Sequence, residues 1–363
     1  AINVTSGSLY IEKDKDNNPT KIEINTVIAP GGGGGICCYW NTGKSGKLTI
    51  KDAEIKDCNI KYALSVDKNA HGAGIYVYGK GEVSLSNVTL SQCGFTGEIP
   101  GDEFDQKQGG GIYLRNVSRA SIKDCTIEYS TTANEGGGIY AVDSNLTIED
   151  TEIQNNKAQK KGGGLFIQAA YADVNLTIKK DTKFINNDAD TGSNGTLGGG
   201  IYMKGNSAKS VTAVMTGGKF VSNGANDGGG IYIDSYAKFT MRGGSLKNNV
   251  AAAGGKGGAV YFDGSTFTMT GSAKVDTSDP IRNDVYLKAG KMITLAGALS
   301  NNPVARITPE NYEPSPGVFA QVLTGDITAG SPPNQNYTKF AVTPQTFPAQ
   351  NWEVDSSGYL KKQ

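Results

Sequence analysis

The chain has 363 residues, 50 of them glycine, and its 35 Lys and Arg side chains are balanced by 35 Asp and Glu. Zero net charge leaves no basic stripe to neutralise phosphates, which argues against a nucleic-acid partner, and no polybasic patch for an anionic membrane surface. No apolar run approaches the ~20 residues of a membrane-spanning helix, and no signal peptide is legible at the start of the chain.

In chain order, residues 1–30 read as an N-terminal cap. Ile2-Asn3-Val4 and Lys21-Ile22-Glu23-Ile24 have strand character around a polar turn at 13–18. From residue 31 a glycine cluster runs eight times into an apolar triplet, which starts at Ile36, Ile75, Ile112, Ile139, Leu165, Ile201, Ile231 and Val260, at spacings of 26 to 39 residues. A period in that range marks a repeat architecture rather than a set of separate domains. Each repeat has a second segment with apolar outer positions and usually Ser or Thr between them, from Leu48-Thr49-Ile50 to Phe267-Thr268-Met269. A third segment carries one apolar residue: Ile55, Leu90, Ile127, Ile153, Phe184, Phe220, Leu246 and Val275. No window sustains a helical period, so each repeat is expected to be one coil of three short strands.

Stacked coils pair every strand with its copy above and below, and equivalent residues then form columns. The expected inward columns include Ile75, Ile112, Ile139, Leu165, Ile201 and Ile231. The glycines are expected at a sharp bend before the first strand. Two residues past the third apolar position stand Asn155-Asn156, Asn186-Asn187, Asn223 and Asn248-Asn249, with Cys58, Cys93 and Ser130 in the earlier repeats. Asparagine tolerates the left-handed conformation, and its amide can hydrogen-bond along a stack, so a buried ladder is favoured over a row of ligand contacts. Val285-Tyr286-Leu287 and Ile293-Thr294-Leu295 suggest a ninth, degenerate coil. From about 300 onward prolines such as Pro303, Pro309, Pro314 and Pro316 break the pattern. The expected organisation is a cap over 1–30, a β-helix over 31–299, and a β-rich cap or appended module over 300–363. The expected fold class is all-β, a right-handed parallel β-helix of eight or nine coils with end caps.

The GGGIY motifs at 109–113, 136–140, 198–202 and 228–232, with FINN at 184–187 and SLKNN at 245–249, resemble the repeats of polymorphic outer-membrane proteins and of related bacterial surface β-helix proteins, including those of spirochaetes. The resemblance covers roughly residues 31–280, and NYTKFAVTP (336–344) and NWEVDSSGYL (351–360) are similar to the C-terminal stretch of such spirochaete proteins. It implies an extracellular or surface-attached adhesin or antigen that meets host or matrix glycan or protein. Neither a membrane β-barrel nor a lipobox is legible in this chain. The chain is expected to act as a monomer.

The candidate ligand-binding residues are the central aromatics of the triplets: Tyr76, Tyr113, Tyr140, Tyr202, Tyr232 and Tyr261, with Phe166 in the same series. If their neighbours point inward these point outward, forming a strip that stacks on sugar rings or, in the favoured reading, packs on itself or under a covering segment. Insertions at 94–108 and 188–197 are candidate contact loops. Glu98, Asp102, Glu103 and Asp105 lie in the first, where a solvated acidic loop is favoured over a Ca²⁺ site because the spacing matches no calcium loop. His71, the only histidine, is expected at a corner. Thr42-Gly43-Lys44-Ser45 lacks both the earlier glycine and the following helix of a phosphate-binding loop. The five cysteines form no CxxC pair; Cys58 and Cys93 fall at equivalent places in adjacent coils, within disulfide reach but favoured as buried thiols. Asp143 and Asp234 follow equivalent strands, where turn formation accounts for them. No catalytic residue, metal or cofactor is assigned; the alternative kept open is a polysaccharide lyase or glycoside hydrolase on the same scaffold.

Overall fold

The structure is a computed structural model that describes residues 2–5, 7–14, 18–23, 34–40, 45–61, 71–96, 108–192, 195–279, 282–346 and 349–363. It is a parallel β-helix. The glycine-led triplets stack as one parallel sheet of twelve strands, sheet 1. The second and third segments stack together as sheet 2. They share a sheet because the strands Gly46–Lys56 and Gly81–Ser91 run through both segments without a break. The register matches the columns expected from the repeat, for example Ile112↔Ile139 with Tyr113↔Tyr140, and Ile153↔Phe184.

Alternation within each strand decides what is buried. Ile139 and Ala141 point into the main core, as do Leu146, Ile148 and Ile153 of the same coil, all but inaccessible. Burying one such aliphatic side chain is worth about 1.5–3 kcal/mol, and no coil can bury its set alone. Each inward residue therefore covers its counterparts in the coils on either side, and one core runs along the stack. Where the column turns aromatic the rings stack, as Phe184 does on Phe220 at 4.6 Å.

Among the described residues, seven coils also contain a further strand that the repeat did not reveal. After the asparagine column the chain adds a short third sheet of seven strands, among them Thr131–Thr132, Lys157–Ala158 and Asp188–Ala189. A two-residue strand with a single small buried residue has no apolar period to read. It explains why the glycines come in threes. In the coil at 136–138, Gly136 takes φ +72°, which turns the chain into sheet 1. A Cβ on Gly137 would lie 2.6 Å from the Lys157 carbonyl of the third sheet, and one on Gly138 would lie 3.0 Å from the Asn156 amide. One glycine makes the bend, the next lets the third sheet approach, and the last makes room for the ladder.

Sheet 1 extends into both flanking regions. Ile2–Val4 pairs with Ile36–Cys38 at one end. At the other, Ala305–Pro309 pairs with Val285–Leu287, and Phe340–Val342 pairs with Ala305–Ile307. Pro309 thus ends a strand of the sheet, while Pro303, Pro314, Pro316, Pro332 and Pro333 fall in the connections between its strands. Two small antiparallel pairs, including Trp352–Val354 with Leu360–Lys362, follow.

Candidate functional site

The tyrosines expected to bind ligand do form one outward column on sheet 1, but they are not open. Tyr76, Tyr113, Tyr140, Tyr202, Tyr232 and Tyr261 are each less than a tenth exposed, and with Phe166 and Tyr286 they make an apolar cluster separate from the main core. Their rings stack along the axis at 4.5–5.5 Å, so each ring face is taken by the next ring. Beside them runs a ladder of single bridges, Glu135↔Lys161↔Leu197↔Asp227; Leu197 packs on the cluster and the Lys161 ammonium lies 4.9 Å from the Tyr202 ring centre. Burial, then the Asp234 carboxylate, holds the Tyr202 phenol above its ordinary value. Burial pushes Asp234 up, but hydrogen bonds from Tyr202 and Ser235 and the Lys204 ammonium at 3.5 Å hold it below the usual carboxylate range. Tyr202 is thus a protonated donor to an ionised carboxylate.

The asparagine column closes just as fully. Asn156 donates its backbone N–H and its amide to Asn187 Oδ1 at 3.2 and 3.0 Å, and Asn187 does the same to Asn223 at 3.0 and 3.0 Å. The second amide hydrogen goes back to the previous coil, from Asn187 Nδ2 to the Ile153 carbonyl at 2.8 Å. The ladder continues through Asn249 to Asn283, one coil beyond the sequence reading, and ends toward the N terminus at Ser130. Asn155, Asn186 and Asn248, just before the ladder residues, are the left-handed ones (φ 53°, 50° and 55°). Cys58 and Cys93 are buried thiols not joined in a disulfide. The His71 ring stacks on Tyr113 at 4.7 Å, at the corner expected for it. Residues 97–107, with Glu98, Asp102, Glu103 and Asp105, and residues 41–44 lie outside the described residues. In the second loop Asp190 meets Lys157 at 3.0 Å.

The corner between sheet 1 and sheet 2 behaves differently. Among the described residues it spans 79–80, 116–118, 143–145, 169–173 and 205–210 in successive coils, so three short corners precede longer ones. The depression over them is a groove of about 680 Å³ whose lining includes Trp40, Tyr78, Lys80, Asn116, Asp143 and Tyr171. Its floor holds the Trp40 indole, only 2% exposed, in space that glycines leave: a Cβ on Gly46 would lie 2.1 Å from Trp40 Nε1.

The far wall is the loop 169–173, and Asp143 holds it. Asp143 sits at a left-handed turn (φ 49°), and its Oδ1 accepts the backbone N–H groups of Ala170, Tyr171 and Ala172 at 2.8, 2.8 and 3.0 Å. Its Oδ2 is buried without a donor. From the next coil Asn206 Nδ2 donates to the carbonyls of Ala169 and Ala170 at 3.3 and 2.8 Å. In the middle of this held loop Tyr171 is 79% exposed. Asp173, also in the lining, accepts from the Ser210 N–H at 2.8 Å. The side chains of Ser45, Lys80, Asn116 and Ser118 line the groove without a hydrogen bond or ion pair among the described residues. Beside it Tyr39 stacks on Tyr78 at 5.1 Å.

Sequence reasoning missed this site because it sought insertions only after the asparagine column. The available signal was the spacing from each triplet to the next apolar–Ser/Thr–apolar segment, which is five, five and four residues after Val77, Leu114 and Ala141 and lengthens to eight after Ile167. Among the described residues no group of three or more His, Cys, Asp or Glu side chains is placed to hold a metal ion. None of their helices is long and apolar enough to cross a membrane.

The profile of the right-handed β-helix region matches residues 3–273, and the chain belongs to that family. No curated protein and no solved structure matches it. The fold is common to adhesins, pectate lyases and glycoside hydrolases.

Proposed function

We propose that this chain is a bacterial surface or secreted β-helix protein that acts as an adhesin or antigen. It resembles the polymorphic outer-membrane and spirochaete repeat proteins in its motifs, and its partners are host or matrix glycan or protein. The observation that carries this reading is the groove at the corner between sheets 1 and 2. The asparagine ladder satisfies its own groups and the tyrosine rings cover one another, whereas the groove presents an exposed ring and polar side chains unpaired among the described residues. The stack serves as a stiff spacer, and many chains on one surface would turn weak single contacts into avidity.

The purified chain, applied to an array of host and matrix glycans and proteins, should bind saturably and release no product. Release of cleaved sugar would sink the adhesin reading in favour of a carbohydrate-active enzyme. Asp143 and Asp173 would then be the first carboxylates to change, because both line the groove and glycoside hydrolysis uses a carboxyl pair across the bond.

A further inference from the structure

We infer that the groove takes an uncharged glycan, one sugar ring lying on Tyr171 while its hydroxyls bond to Lys80, Asn116 and Ser118; this rests on the adhesin reading and names its site and ligand class. A sugar ring has an apolar C–H face and a rim of hydroxyls that both donate and accept. The groove matches both features. Tyr171 offers an exposed aromatic face. Across from it, Lys80, Asn116 and Ser118 lack partners among the described residues, and the Asp143 carboxyl still lacks a donor at Oδ2.

Charge narrows the class. Among the described residues the lining holds one ammonium, Lys80, and two carboxylates, Asp143 and Asp173. An acidic sugar chain would meet more repulsion than attraction, and a cationic ligand would offer no acceptors to Lys80, Asn116 and Ser118. Size narrows it further. A cavity of about 680 Å³ suits a small ligand, whereas a stable protein partner needs roughly 1,000 Å² of buried surface or more. The platform is also set in advance, since Asp143 and Asn206 together hold the backbone at 169–172 by five hydrogen bonds. Little ordering cost then falls on binding.

Calorimetric titration with neutral cello-, chito-, malto- and manno-oligosaccharides, and with oligogalacturonate and hyaluronan fragments as acidic probes, tests this. A neutral oligosaccharide should saturate the native chain. Tyr171→Ala should weaken it by about tenfold or more, Tyr171→Phe should keep most of the affinity, and Lys80→Ala and Ser118→Ala should each cost a few-fold. Tyr236→Ala, at an exposed ring outside the groove lining, should change nothing. Because Tyr171 is so exposed, its variants should keep the native circular dichroism spectrum. Undiminished binding by Tyr171→Ala, or a preference for the acidic probes, would overturn the inference and leave the adhesin reading standing. Binding to matrix proteins alone would do the same, while no binding to any glycan or protein would overturn both.

Discussion

Two corners of the same coil meet the same problem and solve it in opposite ways. At the corner between sheets 2 and 3, each of five successive coils places an asparagine in register, Asn156 to Asn283, and the polar atoms of each are met by its neighbours. At the corner between sheets 1 and 2 the corner length varies along the stack, short at 79–80 and long at 169–173 and 205–210, so unlike residues follow one another. Hydrogen bonds that need a matching partner one coil away cannot propagate there. Exact repetition closes a column, and broken repetition leaves side chains for a ligand. The tyrosine column belongs with the asparagine corner: it repeats, and so it closes on itself.

The comparison can be broken most severely with alkali. The phenols of Tyr76, Tyr113, Tyr140, Tyr202, Tyr232, Tyr261 and Tyr286 are all held above the ordinary tyrosine value, chiefly by burial. The unfolded chain therefore releases these protons first, and the folded chain binds more of them. Stability is fully present below pH ~10 and should fall steeply as pH rises beyond it. Urea unfolding at a series of alkaline pH values, with phenolate absorbance, reads this; a flat profile through that range would mean the ring column is open to water.

Next in size is Asn187→Ala. It strands the Asn156 N–H, one Asn156 amide hydrogen and the Ile153 carbonyl in a buried column, while the backbone N–H of residue 187 still reaches Asn223 Oδ1. Stranding even one buried polar group costs ~1–3 kcal/mol, so a loss of about 3–5 kcal/mol is expected by urea denaturation, with groove binding intact at temperatures where the fold survives. Asp143→Gly keeps the positive φ but removes the acceptor of three N–H groups. Global stability should fall by about 1–3 kcal/mol, with faster hydrogen exchange at Ala170–Ala172 and weaker glycan binding. The smallest effect on stability, within about 0.5 kcal/mol, is expected for Tyr171→Ala, an exposed side chain on a loop pinned by its backbone. If Tyr171→Ala destabilised the fold as much as Asn187→Ala, the contrast between the two corners would collapse.

The inward columns were legible in advance because alternation and a repeat of 26 to 39 residues place like beside like; Ile139 over Leu165 follows from spacing alone. The ladder was legible for the same reason. The third sheet was not, because Lys157–Ala158 and its counterparts have two residues each and no apolar pattern. The continuation of sheet 1 through Ala305–Pro309 and Phe340–Val342 was hidden by the irregular chain between those strands and by the missing glycines. The outward direction of the tyrosines followed from alternation, but their burial did not, since it depends on rings and a flanking bridge ladder brought from other coils.

By itself the sequence determined the stack: which residues face inward, where the chain bends, and that the polar column is asparagine. These follow from local alternation, from glycine at positive φ and from periodic repetition, all of which act at short range along the chain. Only the tertiary structure decided which surface is closed and which is open. The loop that presents Tyr171 is held by Asp143 and by Asn206, one from the coil on either side. The groove exists because corners of different length meet across coils 26 to 39 residues apart, a juxtaposition that no short window of the chain contains.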